Sequence, residues 1–448
     1  MSEFNDLVFR FIEKSNRFAH RTIDEIISDL TGGIYEQIAL SHDSIKFDYE
    51  NVESTTKDLY NKLITYVNNK SYVFCSIQPN SEASLISENP YKTNIYYRIL
   101  AVRIKGVSQP DLQVITNSGA LFKIMDPYAP LSSCSRITWL NLAEVVKRFS
   151  QISIIHIPDG IKLNEVRQYD VWSSQKNTDG GCPNRLSKSM QNPQYSLYIL
   201  RPDAVIISLQ QPESFNNRGQ SVLNSIGFCM FKIEQNRVNE RVTSSSEYKL
   251  VAKSRYSRIR EQTKYMIVQP GRYMIIPSTF ESGVEGRYLL RVCSHTIIPK
   301  HFNEMVCTKL HKEGGLFKKK FITRITIEQA RGPALGGKGF FVIEINFKNP
   351  SHTIVGLPVY SEEEKFVAIE QSFLVYQRNL FPFCVSLYRS KFANKGTYLG
   401  EAKVKTLSSL NEKIETLSTL TSHGSVLKRV AIELKVSVET RNDISELE

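Results

Sequence analysis

Apolar residues recur at helical spacing near the start of the chain: Phe4, Leu7, Val8, Phe11 and Ile12, then Ile23, Ile26, Ile27 and Leu30. This rhythm predicts helix over residues 4–30, stopped by Gly32-Gly33. A third amphipathic pattern covers residues 52–68, with Val52, Leu59, Leu63, Ile64 and Val67 on one side. The period then shifts towards two. Strands are predicted at Tyr72 to Ile77, Ile95 to Ile104 and Leu121 to Ile124. A short helix follows over 142–149, then a strand from Ile152 to Ile157, and Pro158-Asp159-Gly160 marks a boundary. Residues 161–295 are short apolar runs parted by Pro, Gly, Asn and Ser clusters, the pattern of a β-sandwich.

Residues 296–320 read as a linker ending in Leu316-Phe317-Lys318-Lys319-Lys320. Beyond it, Val430 to Val438 alternates cleanly: even positions are apolar, with Glu433 and Lys435 outward. One face is therefore expected to be buried and the other wet. The fold class expected is mostly β with some α.

Composition narrows the setting. The chain has 448 residues and is 41% hydrophobic, enough for two to four globular domains. Seven cysteines are scattered without a CxxC pair, which fits a reducing cytoplasm better than a secreted disulfide framework. No run of 18 apolar residues predicts a spanning helix, and the N-terminal residues carry no apolar signal core. The net charge of +12 fits an ordinary solvated surface, or an acidic partner such as anionic lipid, nucleic acid or an acidic filament.

The most informative wording lies between Trp172 and Val292. It contains Trp172-Ser173-Ser174, Asp179-Gly180-Gly181-Cys182-Pro183-Asn184, Asn192-Pro193-Gln194-Tyr195, Ile226-Gly227-Phe228, Pro270-Gly271-Arg272-Tyr273 and Gly286-Arg287-Tyr288-Leu289-Leu290-Arg291-Val292. This order resembles the β-sandwich (domain III) that follows the protease core in calpains, the calcium-regulated papain-like cysteine proteases. Upstream, Asp29-Leu30-Thr31-Gly32-Gly33, Phe74-Cys75-Ser76-Ile77 and Ile137-Thr138-Trp139-Leu140 resemble, more weakly, the second half of that core. The resemblance covers roughly residues 20–295.

A calpain core needs a Cys nucleophile, a His that holds the thiol proton and an Asn that orients the His. The nucleophile of the family precedes its Thr-Gly-Gly. None of residues 1–30 is Cys, so the nucleophile segment is read as absent. The His segment aligns with Asn94-Ile95-Tyr96-Tyr97, which puts Ile95 at the His position. The Asn-Pro-Trp-Gly segment aligns with Asp126-Pro127-Tyr128-Ala129, placing Asp126 at the Asn and Tyr128 at the shielding Trp. Ile has no acid–base chemistry, so the resemblance implies a pseudoprotease with no catalytic residues, no metal and no cofactor. The eight histidines are dispersed, and none pairs with Cys or carboxylate at metal-ligand or nucleophile spacing. Cys182 reads as a small buried side chain.

Many calpains carry an acidic, calcium-linked loop after the Asn-Pro-Gln strand. Here Asn192-Pro193-Gln194 runs through Leu197-Tyr198-Ile199-Leu200 into Asp203 without it. Basic residues gather instead at Lys249, Lys253, Arg255, Arg258, Arg260 and Lys264. Such a strip suits an acidic partner or an edge that discourages strand-to-strand aggregation.

Residues 321–440 resemble a C2 domain in outline, with which some calpains end. Calcium-binding C2 loops cluster Asp residues, because a hard divalent ion needs several oxygen ligands. The loops at 330–338 and 388–395 have no acid and carry Lys338, Arg389 and Lys391. The domains expected are a protease-core remnant at 1–158, a domain III-like sandwich at 159–296, a linker at 297–320, a C2-like sandwich at 321–440 and a tail at 441–448.

The function expected is a non-proteolytic regulatory or scaffolding module, cytoplasmic, with proteins as partners: active calpains or cytoskeleton. No nucleic-acid partner is expected. The alternatives are a peripheral adaptor on acidic membrane lipid and, opposed by Ile95, a calcium-dependent cysteine endopeptidase whose nucleophile comes from another chain.

Overall fold

The computed structural model describes residues 22–40, 63–64, 66–67, 71–78, 81–85, 89, 91, 95–104, 120–125, 137–158, 163–183, 186–215, 221–237, 240–243, 248–306, 321–332, 335–348, 351–377, 382–390, 396–404, 413–419 and 433–441. Residues 4–21 of the helix predicted over 4–30, most of the pattern at 52–68, most of the linker and most of the tail lie outside the described residues; Leu63, Ile64, Tyr66 and Val67 are helical. The chain forms two compact units. One takes residues up to Glu165 with Ile206–Ser208 and Thr263–Tyr265, and the other takes the remainder.

Among the described residues, the first unit opens with helix α1 (Ile23–Thr31). Its start is fixed by a capping box, in which Thr22 Oγ accepts from the Glu25 amide and the Glu25 carboxylate accepts from the Thr22 amide. Its end is fixed by Gly32 at φ 65°, a conformation open to glycine. Strands β1 (Ile34–Ala39), β2 (Tyr72–Ser76), β3 (Tyr96–Ile104), β4 (Ala120–Met125) and β5 (Ile137–Asn141), helix α2 (Leu142–Arg148) and strand β6 (Gln151–His156) follow. The six strands form one antiparallel sheet in the order β1-β6-β2-β3-β4-β5. Period two sends Val73 and Cys75 to one face, with Tyr97, Phe122, Val145, Phe149, Ile152 and Ile154, while Phe74 goes to the other with Ile27, Tyr35 and Ile155.

The first sandwich uses β7 (Asn164–Trp172), β8 (Tyr195–Ile199), β9 (Asp203–Gln210), the short pair β10 (Ser214–Phe215) and β11 (Ser221–Val222), β12 (Ile226–Ile233), β13 (Leu250–Lys253), β14 (Glu261–Val268), β15 (Gly271–Thr279), β16 (Gly286–Ser294) and β17 (Phe302–Glu304). Its main sheets are β13-β12-β15-β8-β17 and β14-β9-β16-β7. The recurring motifs now have structural jobs. Trp172 is buried, stacks on Tyr288 at 4.4 Å and donates from its indole to the Pro277 carbonyl at 3.1 Å. Asn192 donates to the carbonyls of Gly181 and Ser189, both at 2.8 Å, and Gln194 bonds Met190 and Val242 backbone groups. Gly181 has φ 76°, and a β-carbon there would meet the Ser282 amide at 2.6 Å, so the Gly-Gly-Cys turn requires its glycine. Cys182 is buried, as expected.

The linker does not start at 297. Ile297 and Met305 are buried, and β17 pairs with β8 as the outermost strand of the five-stranded sheet. Apolar residues in the stretch expected to be linker therefore complete the sandwich.

The C-terminal module has β18 (Phe321–Arg331), β19 (Gly339–Lys348), β20 (Ser351–Val355), β21 (Val359–Ser361), β22 (Phe366–Gln377), β23 (Phe383–Ser390), β24 (Thr397–Val404), β25 (Lys413–Thr419) and β26 (Glu433–Arg441). They form two sheets, β22-β18-β26-β25 and β20-β19-β23-β24, with β21 also on β19. One core lies between them, built on Ile325, Ile327, Phe341, Ile343, Phe373 and Leu387. Val436 and Val438 point inward, as their alternation requires. The mostly β class with two sandwiches is the observed one.

Candidate functional site

Ile95 directly precedes β3, is half-buried, and packs against the core that holds Tyr97 and Phe149. Tyr91 adds ring contacts at 4.8 Å to Tyr97 and 4.6 Å to Phe149. Ile95 is therefore an apolar packing position. Asp126 and Tyr128 lie outside the described residues. Cys75 in the same unit is fully buried, and burial pushes its thiol pKa up, away from the thiolate a nucleophile needs.

Two histidines meet carboxylates that are distant in sequence. His156 Nε2 lies 3.4 Å from Glu36 Oε2, and its Nδ1 lies 3.3 Å from Ser71 Oγ. Tyr66 also donates to that Glu36 oxygen, at 3.1 Å. Ser71 and His156 are both buried, so this Ser–His–Glu chain presents no nucleophile to a substrate and ties β1 to β6. His295 Nδ1 lies 3.0 Å from Asp203 Oδ1, while Thr296 donates twice to Oδ2. Burial alone would raise the Asp203 pKa, but the Thr296 and His295 bonds pull it below the ordinary carboxylate range. Both pairs join residues far apart in sequence, which no spacing rule detects. Among the described residues, no three His, Cys, Asp or Glu side chains converge as a metal site.

The basic residues of the first sandwich fall on two edges. Lys253 ends β13, the edge of the five-stranded sheet, and Lys264 lies on β14, the edge of the four-stranded sheet. Lys253 and Arg255 are exposed while Ala252 and Ser254 between them are buried, so the alternation holds. Arg258 is exposed; Arg260 and Lys264 are half-buried. The Lys253 ammonium lies 5.9 Å from the Tyr256 ring.

In the C-terminal sandwich, Arg389 donates to the Lys338 carbonyl at 3.1 Å, so the first and last loops meet at one end. Lys391 lies outside the described residues. A third loop joins them there. The Gly332 amide bonds the Lys365 carbonyl at 2.9 Å, and Glu362, Glu363 and Glu364 in that loop are exposed. The basic character of this end is thus diluted by three acids.

The two sandwiches are joined by a buried polar seam. The carboxylate of Glu234, just after β12, accepts from Arg237 Nε at 2.7 Å and from Arg324 Nε of β18 at 2.9 Å. The Tyr248 hydroxyl donates to the same carboxylate at 2.9 Å and accepts from Arg324 at 2.8 Å. The Gln235 amide bonds the Ser372 carbonyl, and Asn236 bonds both backbone groups of Leu374, so the turn after β12 caps the free edge of β22.

A two-sheet sandwich organised around Trp172, Asn192, Gln194 and Tyr288 follows a six-stranded sheet with a Thr-Gly-Gly helix stop. Residues 169–293 match the family model for calpain large subunit, domain III. Calpain-5 of Mus musculus is 32% identical over 180 residues, covering 37% of this chain and 27% of Calpain-5. Calpain-5 of Rattus norvegicus is 36% identical over 180 residues with the same coverage, and Calpain-A of Drosophila melanogaster is 27% identical over 182 residues, covering 35% of this chain and 22% of its own length. The chain spans about a quarter of the length of these relatives. Among solved structures, a C2 domain of plant Extended Synaptotagmin 1 covers 28% of this chain and 98% of that domain at 12% identity and a TM-score of 0.24, a likeness too slight to bear on the C-terminal sandwich.

Proposed function

We propose that this chain is a non-proteolytic member of the calpain family and works as a regulatory or scaffolding binding module. The observation that carries this is Ile95, an aliphatic side chain packed against the core at the position that the sequence resemblance assigns to the family's catalytic His. No nearby rearrangement turns such a side chain into a general base. In this reading the first unit is a protease-core remnant kept for its packing, the C-terminal sandwich is C2-like, and the working surfaces are on the sandwiches.

The partner this reading favours is an acidic protein surface in the cytoplasm, either a cytoskeletal filament or an active calpain. Lys253, Arg255 and Arg258 supply exposed positive charge beside an edge strand. An acidic membrane surface is the second reading, resting on the meeting of Lys338 with Arg389. Glu362, Glu363 and Glu364 beside them oppose it. Co-sedimentation with acidic cytoskeletal filaments tests the first. Binding at low salt that weakens at moderate salt, and is lost in a K253E/R255E double variant, is expected. Binding unchanged by the double variant removes the basic edge from the account. Binding to anionic vesicles but not to filaments replaces the first reading with the second.

A further inference from the structure

A cavity of about 430 Å³ opens where the end of β12 and the residues just before β13 face β18 and β22. Its wall contains an irregularity: the β18–β22 pairing slips between Ile327 and Gln329, beside Glu370. Glu370 has φ 46°, a left-handed conformation disfavoured for a residue with a β-carbon. From there its carboxylate reaches two ammonium groups, Lys249 Nζ at 3.2 Å and Lys232 Nζ at 3.7 Å. The Lys232 side chain is only 16% exposed, and burial lowers its pKa although the Glu370 charge opposes this. One carboxylate is thus shared by two ammonium groups, one of them largely withdrawn from water. The Thr326 and Ser372 hydroxyls, 2.9 Å apart, line the same cavity.

We propose that this cavity binds a phosphate-class dianion, which takes Lys232 and Lys249 over from Glu370. A phosphate carries close to two negative charges and three acceptor oxygens, enough for both ammonium groups and a hydroxyl. Glu370 brings one charge and does not come within hydrogen-bonding distance of Lys232. Its side chain is 51% exposed, so once displaced it turns to water. Glu234 does not compete with the ligand, because Arg237 and Arg324 already hold its charge. Glu328 also lines the cavity and opposes an anion. Both sandwiches contribute to the site, so occupancy strengthens their association.

The test is calorimetric titration of the full chain near neutral pH with inorganic phosphate and with glycerol phosphate, against chloride at matched ionic strength. Flotation with phosphatidic acid vesicles forms a second arm. Phosphate is expected to bind measurably above the chloride control. Lys232→Met should weaken it about tenfold or more, the worth of a charged hydrogen bond. Glu370→Gln and Glu328→Gln should each tighten it about two- to fivefold by removing a competing charge. Lys249→Met, at a mostly exposed site, serves if Lys232→Met does not fold by circular dichroism. Lys232-dependent binding of glycerol phosphate assigns a soluble ligand, and Lys232-dependent binding of vesicles alone assigns a lipid headgroup. Phosphate indistinguishable from chloride with no vesicle binding, or equal binding by folded Lys232→Met and Lys249→Met, overturns the proposal.

Discussion

Arg324 of the second sandwich donates from Nε to the fully buried carboxylate of Glu234 in the first, at 2.9 Å. Arg237 holds the other oxygen, so one buried anion faces two cations and a tyrosine hydroxyl. Removing one partner of such a group leaves uncompensated charge in a dry place. Glu234→Gln should therefore destabilise the two-sandwich unit by about 3–5 kcal/mol, read from urea denaturation. A double-mutant cycle of Glu234 with Arg324 should show strong coupling. A loss below about 0.5 kcal/mol would mean that water reaches the seam.

The same carboxylate gives stability a pH dependence of known sign. Burial alone would raise the Glu234 pKa, but the charges of Arg237 and Arg324 more than offset it and hold it below the ordinary value of about 4.3. A depressed folded pKa stabilises fully above the unfolded value. That stability is lost as pH falls through the folded value. The wild type should lose stability more steeply than Glu234→Gln below about pH 4.3, as measured by denaturation midpoints across pH. Parallel curves would contradict the assignment.

Trp172 anchors the first sandwich through its stack on Tyr288 and its bond to the Pro277 carbonyl. Trp172→Phe keeps most of the apolar contact and leaves that buried carbonyl without its donor. The expected loss is about 1–3 kcal/mol, by thermal or urea unfolding. The variant should also lose most of the blue-shifted emission of the native protein, since Trp172 is buried and Trp139, the other indole, is only half-buried.

Substitution of Ile95 tests its packing role. Ile95→His puts a polar ring against the Tyr97 and Phe149 cluster. It should cost about 1–3 kcal/mol of stability and confer no protease activity. A neutral effect on stability would show that Ile95 is free to be replaced.

Much of this molecule was legible along the chain wherever the signal is local. The even-position rule for β26 holds at Val436 and Val438, and the helix stop at Gly32-Gly33 is a real left-handed cap. Wording around Asn192 and Gln194 marked the sandwich because those side chains replace backbone partners in tight turns. What stayed hidden is non-local. His156 finds Glu36, His295 finds Asp203 and Arg324 finds Glu234 across many strands. The fifth strand of the five-stranded sheet, Phe302–Glu304, is too short for any period to appear. The basic run from Lys249 to Lys264 looked like one strip, yet a change of sheet between β13 and β14 divides it.

The most direct measurement is incubation of the full chain with casein, with and without calcium, and with and without a thiol alkylator. A non-proteolytic module leaves casein intact under all four conditions. Casein cleavage that calcium promotes and alkylation abolishes would contradict it, and would mean that the apolar position at Ile95 does not exclude a working cysteine protease.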